Sequence, residues 1–311
     1  MPNCLICYQD AGDQPYHSRC ARKFFGTEKM PTLELNKSLL KELAEKTIIE
    51  RISITGIQPK LSVTLEKHRG TGRLTIVGLW GEYILKPQHD ALPAMPETED
   101  LTMHLAQIFG IEVCDHCLIK SSDGSLAYLA RRFDREKDIK IHVEDFCQLS
   151  EFLTENKYKG SYERAGKLIL TYCTNKGLDR LKYFELLLFC YLTGNNDMHL
   201  KNFSLIHRKE SIDLSPAYDL LNVNLVFPKD QEEMALLLNG RKKNIHLRDF
   251  EALGTVLGIP DKVRATNYKK FQSHHSSVQQ MIQASFLSAE MQQIYWEIWN
   301  RKQGIFKNLT N

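Results

Sequence analysis

The stretch from 180 to 193 leads into side chains that are all apolar, LLLFCYL at 186–192, and stops at Gly194. A helix that is apolar all round has no face for water, so it must lie inside a larger body. The chain therefore needs enough structure to enclose it. With 311 residues, 42% of them hydrophobic and 25% charged, it has material for two lobes, each with its own core. Straight after the apolar run comes GNNDMHLKN at 194–202, a dense polar segment placed at the end of a buried element.

Upstream of that helix the pattern is different. Runs with strand character stand at 51–54, 60–65, 74–77 and 82–86. A helix is expected after Pro96, with Leu101, Leu105 and Ile108 on one face and Gly110 ending it. Two further strands, 113–120 and 126–132, flank a Ser-Asp-Gly turn at 122–124. From about residue 143 the pattern turns helical. The layout predicts an α+β fold of the two-lobed protein-kinase type: a hook and helix over 1–50, a small β-rich N-lobe over 51–132 and a larger helical C-lobe over 133–311. Element order alone fits many α+β enzymes, so the polar residues have to decide.

Asp197 and Asn202 stand four residues apart, the D-x4-N spacing of a kinase catalytic loop, where the Asp positions the attacking hydroxyl and the Asn holds magnesium. A hairpin's length later, Asp219 lies where kinases place a second metal ligand. Magnesium takes hard oxygen ligands, which Asn202 and Asp219 offer. Inside the loop, His199 and Lys201 are candidates to face the phosphates, Lys201 by neutralising the transferring group. Taken singly, each is an ordinary turn or capping residue, and Asn-Asn-Asp is a turn-rich composition. Lys86 ends the run YILKP, as does the strand lysine that pairs nucleotide phosphates in kinases, and Glu97 or Glu99 on the next helix could orient it. The preceding SITGIQPK, 53–60, has one glycine and is a poor match to G-x-G-x-x-G.

Together SITGIQPK, YILKP, RRFDR at 131–135, LTGNNDMHLKNFSL and AYDLL resemble the HipA family of bacterial toxin kinases, in matching order from about residue 50 to 305. The resemblance implies ATP and Mg2+ as cofactors, Asp197 as the catalytic aspartate, Asn202 and Asp219 as metal ligands, and Lys86 on the nucleotide phosphates. It further implies that Lys60, Gly56 and Ile57 belong to the phosphate loop and that Arg131 to Phe133 form a hinge meeting adenine through its backbone. Ser53 stands where the family autophosphorylates, and Thr55 is a second hydroxyl beside it. A phosphate there would add close to two negative charges on a loop meant for nucleotide phosphates, lowering ATP affinity.

Only some fifty residues precede the phosphate loop, similar to the short HipT branch of tripartite HipBST-type toxin–antitoxin systems. That similarity implies a small HipS-like antitoxin, a HipB-like DNA-binding protein, nucleic acid met only through that partner, and an aminoacyl-tRNA synthetase as substrate, tryptophanyl favoured over glutamyl. The competing functions are a small-molecule kinase, since D-x4-N also occurs in lipid and aminoglycoside kinases, and a pseudokinase acting as a binding module or co-repressor. Lys86, Asp197, Asn202 and Asp219 are all present, which speaks against the last.

Eight cysteines are expected as thiols, because the start of the chain lacks the basic and apolar stretches of a signal peptide and a cytoplasmic location follows. No run approaches the roughly 18 apolar residues of a membrane span. A net charge of +3 gives no argument for nucleic acid. Cys4, Cys7, His17 and Cys20 form C-x2-C-x9-H-x2-C, four soft ligands suited to Zn2+. With so short a loop, the sequence favours the alternative of thiols packed in an apolar hook. Cys114 and Cys117 read as core cysteines of a strand.

Overall fold

The computed structural model describes residues 3–33, 42, 60–68, 71–77, 80–136 and 139–309. The helix expected after the hook within 1–50 falls on residues that, apart from Glu42, lie outside the described residues, as do the expected strand at 51–54 and Ser53, Thr55, Gly56 and Ile57. The chain forms two compact units: residues 1–101 with 114–133 and 281–288, and residues 102–113 with 134–280 and 289–311.

The first unit is built on a five-stranded antiparallel sheet. Its strands are β1 (Leu61–His68), β2 (Thr71–Ile76), β3 (Tyr83–Lys86), β4 (His116–Lys120) and β5 (Leu126–Arg131), in the order β2-β1-β3-β5-β4. Alternation decides which side chains meet. Leu61 and Val63, Tyr83 and Leu85, Cys117 and Ile119, and Ala127 and Leu129 are i, i+2 pairs that share one face and are buried together. Covering that face is α1 (Ser18–Phe25), which contributes Ala21, Phe24 and Phe25. The N-terminal hook is thus part of this core. By the same alternation Lys86 points to the opposite face, where α2 (Met95–Ile108) begins.

The second unit encloses α5 (Lys176–Leu192), whose residues from Leu186 to Leu192 are all buried, as an all-round apolar helix requires. Around it stand α4 (Tyr162–Tyr172), α7 (Leu247–Val256), α8 (Asp261–Ser273) and α10 (Ala289–Gln303); the other helices after α2 in chain order, among the described residues, are α3 (Phe146–Leu149), α6 (Val223–Val226) and α9 (His275–Ala284). The pattern does not turn wholly helical at 143. His142–Asp145 is a strand, pairing antiparallel with Ser204–His207, which in turn pairs with Ile212–Leu214. Asp145 ends the strand by capping a one-turn helix, Phe146–Leu149, through a box with Gln148.

Phe109 is 2% exposed and sits in an aromatic cluster, stacked on Phe271 at 4.5 Å and on Trp299 at 5.7 Å, with Phe189 at 6.0 Å. Offset rings in such contact add to their area burial. Phe109→Ala is expected to destabilise the chain by about 3–5 kcal/mol in urea unfolding, since three facing rings cannot collapse into the space. A loss under about 1 kcal/mol would mean the cluster is not a packing centre.

Candidate functional site

The polar segment after α5 is positioned by the way that helix ends. Gly194 adopts φ +71°, a left-handed conformation that suits glycine. Its N–H donates to Tyr191 O at 3.2 Å and the Asn195 N–H donates to Cys190 O at 2.8 Å. These two bonds are a Schellman termination, which caps orphan carbonyls and turns the chain sharply. A Cβ at Gly194 would also stand 2.9 Å from both Asn222 Oδ1 and Asn224 Oδ1, so glycine is required by space as well as by φ.

The following loop is held at nearly every residue. Asn195 Oδ1 accepts from the Asp197 N–H at 3.3 Å, and Asn196 Nδ2 donates to Glu232 O at 2.7 Å. Met198 O accepts the Tyr162 hydroxyl at 3.0 Å, while the Leu200 N–H reaches Lys157 O at 3.1 Å. The D-x4-N pair closes on itself: Asn202 Nδ2 donates to Asp197 O at 3.0 Å. That bond uses the amide nitrogen and directs the Asn202 carboxamide oxygen elsewhere. Oδ1 makes no hydrogen bond with the described residues, and is an oxygen of the kind Mg2+ takes.

Asp197 is half-buried, and Tyr158 donates its hydroxyl to Asp197 Oδ1 at 2.6 Å. Burial raises the Asp197 carboxyl above its ordinary range; the Tyr158 hydrogen bond and Lys157 pull it back, while Asp219 and Asp230 push it up. Tyr158 itself stays protonated, its phenol raised by burial and by Asp197. Edge-on to Tyr158, at 5.0 Å, lies the ring of His199. Burial, aided by Lys157, pushes His199 down to about 4, so the imidazole is neutral near pH 7. Its Nδ1 is buried and makes no hydrogen bond with the described residues.

Asp219 follows the hairpin Ser204–His207/Ile212–Leu214 and has φ +55°, a left-handed backbone that Asp adopts more readily than most residues. Its neighbour Tyr218 fastens it to the loop, donating to Lys201 O at 2.9 Å and meeting Ser204 Oγ at 2.6 Å. Lys201 is engaged elsewhere than expected, in an ion pair with Asp145 Oδ2 at 2.7 Å. It can neutralise a phosphoryl group only by leaving that carboxylate.

In the first unit Lys86 Nζ meets Glu99 Oε1 at 2.6 Å, with both side chains buried. Glu99 is therefore the orienting acid. Glu97, two positions earlier on α2, instead accepts from Gln88 Nε2 at 2.8 Å. Breaking a buried pair by removing one partner leaves an uncompensated charge, so each residue holds the other in place. Lys60 is exposed just before β1. Arg131 spreads its guanidinium over Phe24 at 5.2 Å and meets Asp115 at 3.4 Å; its N–H donates to Asp115 O and that of Arg132 to Glu82 O. Phe133 is the last residue of this unit's second stretch.

The structure thus brings Asp197, Asn202, His199 and Lys201 into one braced loop, with Asp219 tied to it through Tyr218. Sequence reasoning missed Tyr158, Tyr218 and Asp145. Tyr158 and Asp145 lie 39 and 56 residues before their partners, and no local pattern marks them.

A family model described as HipA-like C-terminal domain matches residues 52–291. A protein of Haemophilus influenzae with a provisional kinase name is 32% identical over 186 residues, 56% of this chain and 53% of that one. The serine/threonine-protein kinase toxin HipA of Shewanella oneidensis is 23% identical over 240 residues, 70% of this chain and 54% of that one. The chain spans about half the length of these relatives. Among solved structures, the Shewanella oneidensis HipA in complex with HipB and operator DNA superposes with a TM-score of 0.68 at 19% identity, covering 90% of this chain and 72% of that one. The fold is that of HipA, a kinase-like fold of mixed helix and strand. With its matched segment running over most of its length, the chain belongs to the HipA-like C-terminal domain family.

Proposed function

We propose that the chain is an ATP-dependent serine/threonine protein kinase and the toxin of a toxin–antitoxin system, with Asp197 as the group that orients the acceptor hydroxyl. The observation that carries this reading is the Tyr158 hydroxyl on Asp197 Oδ1 at 2.6 Å. In that contact an O–H donates to a braced, half-desolvated carboxylate oxygen, and a substrate hydroxyl meeting a kinase base would make a bond of the same kind.

In this reading Lys86, held by Glu99, donates to nucleotide phosphate oxygens. Asn202 and Asp219 hold Mg2+, which neutralises charge on the phosphates when bound. Asp197 accepts the proton as the acceptor oxygen attacks. His199, neutral near pH 7, adds no charge and has one N–H to donate to a phosphate oxygen or water and one lone pair to accept from water. Arg131 to Phe133 serve the adenine and Lys60 with Gly56 and Ile57 the phosphate loop, where phosphorylation of Ser53 or Thr55 restrains the enzyme. By family resemblance the substrate is an aminoacyl-tRNA synthetase, tryptophanyl favoured, and the partners are HipS-like and HipB-like proteins. A HipA structure with HipB and operator DNA supports the last of these.

Incubating the dephosphorylated chain with γ-labelled ATP and magnesium in lysate tests the assignment. The wild type should label itself or one lysate protein, and Asp197→Asn should lose at least about 10²-fold in transfer while unfolding at the same temperature. No transfer to any protein by folded wild type would make the chain a pseudokinase. The pH profile adds a second test. Asp197 must be ionised to accept a proton, so kcat/KM should fall as pH drops through its raised pKa. Tyr158→Phe removes a bond to the charged form, so the acid limb should move to higher pH; an unmoved limb would mean that Tyr158 does not touch the working base.

A further inference from the structure

The N-terminal hook brings together four groups that are remote from the proposed transfer chemistry in sequence and belong to the first unit. Cys4 Sγ, Cys7 Sγ, His17 Nδ1 and Cys20 Sγ all lie within 4.8 Å of one another. Nδ1 of His17 is 3.4 Å from Cys7 Sγ and 3.7 Å from Cys20 Sγ. A tetrahedral ion with metal–sulfur bonds of about 2.3 Å and a metal–nitrogen bond of about 2.0 Å has sulfur–nitrogen edges of roughly 3.5 Å. The two measured edges bracket that length.

The second observation concerns the proton on the ring. His17 Nε2 is 2.9 Å from the backbone carbonyl of Asp10, and a carbonyl can only accept. The hydrogen of the neutral imidazole is therefore on Nε2, which leaves the Nδ1 lone pair facing the sulfurs. A ligating histidine is held in this way, its other nitrogen donating to a carbonyl so that tautomer and ring plane are fixed. In addition the His17 N–H points at Cys4 Sγ at 3.4 Å, a donor placed for a sulfur carrying negative charge.

Two local structures supply the ligands in pairs. Cys4 and Cys7 lie on a tight turn closed by the Tyr8 N–H to Cys4 O at 2.9 Å and the Cys4 N–H to Gln9 O at 2.8 Å, with Tyr8 at φ +61°. His17 is the N-cap of α1 and Cys20 is in its first turn. Plain packing of thiols explains neither the tautomer nor the convergence, since Cys7, His17 and Cys20 are only partly buried.

We propose that Cys4, Cys7, His17 and Cys20 bind one structural Zn2+ that holds the hook on the sheet carrying Lys86. Three soft sulfurs and an imidazole select zinc over the hard cations. Four protein ligands leave no open position, so the role is structural. Binding releases the three thiol protons and leaves a site of net charge −1. The need is plain from the length of α1: eight residues make a marginal helix in water, yet Phe24 and Phe25 depend on it to reach the core of the sheet. The hook is also sewn on by the Leu118 N–H to Leu5 O at 3.0 Å and Asn3 Nδ2 to Ala284 O at 2.7 Å.

Element analysis of the full chain, purified from zinc-supplemented cells under reducing conditions without chelator, tests this. One zinc per chain is expected, falling at least about tenfold in Cys7→Ser and in Cys20→Ser. Should those variants fail to fold, Co2+ loaded into the wild type gives the answer by itself: thiolate-to-cobalt charge-transfer and tetrahedral d–d bands are expected. A folded, zinc-replete wild type with less than about a tenth of an equivalent of metal would overturn the proposal. So would zinc retained in both serine variants, a cobalt form without thiolate bands, or a disulfide among the three cysteines. None of these readouts involves phosphoryl transfer, so the kinase reading stands or falls separately.

Discussion

The termination of α5 is the constraint on which the second unit's polar chemistry depends. A helix buried on all sides gives its end no freedom to wander, and the pair of bonds from Gly194 and Asn195 back to Tyr191 and Cys190 fixes the exit direction. The next eight residues inherit that direction. Many of their backbone and amide groups are then satisfied by one another and by Lys157, Tyr162 and Glu232, which lowers the cost of a polar loop beside an apolar core, while Asn196 Oδ1 and His199 Nδ1 stay buried without a partner among the described residues. A side chain at Gly194 would meet two asparagine oxygens as well as an unfavourable φ, so that residue sets the loop's position twice over.

Burial then sets the electrostatics. Asp197 is lifted by desolvation and by nearby carboxylates, and restrained by a tyrosine hydroxyl and a lysine, so its ionisation is governed by neighbours from three segments. The same low dielectric makes His199 a neutral group. In the first unit it makes the Lys86–Glu99 pair strict: each charge is tolerable because the other is 2.6 Å away. Lys201, by contrast, is partly exposed and tied to Asp145, a pair weak enough to exchange for another anion.

Much of this was legible from local pattern. Strands β1 to β5 show as short runs of strand character, α5 in the unbroken apolar run at 186–192, and the loop in its D-x4-N spacing. What failed were facts that depend on the chain's return from a distance. No periodicity distinguishes Glu99 from Glu97 as the partner of Lys86; the two are separated by about 200° around α2, and only the place of β3 chooses between them. Tyr158 and Asp145 come from earlier segments carried to the loop by tertiary packing. A strand at His142–Asp145 was hidden because it is short and half-exposed, and it exists through pairing with Ser204–His207. In the hook the ligand spacing was visible, but the turn at Tyr8 and the proton on His17 Nε2 were not.

The central assignment is that an oxygen set in the second unit, Asn202 Oδ1 and the Asp219 carboxylate, binds magnesium together with nucleotide. Calorimetric titration of the full, dephosphorylated chain with ATP in the presence and absence of Mg2+ measures this directly. The assignment predicts one saturable site that requires magnesium and weakens at least about tenfold in Asn202→Ala and in Asp219→Asn, a loss of about 1.4 kcal/mol each. Binding of equal strength without magnesium, or unchanged in both variants, would contradict it.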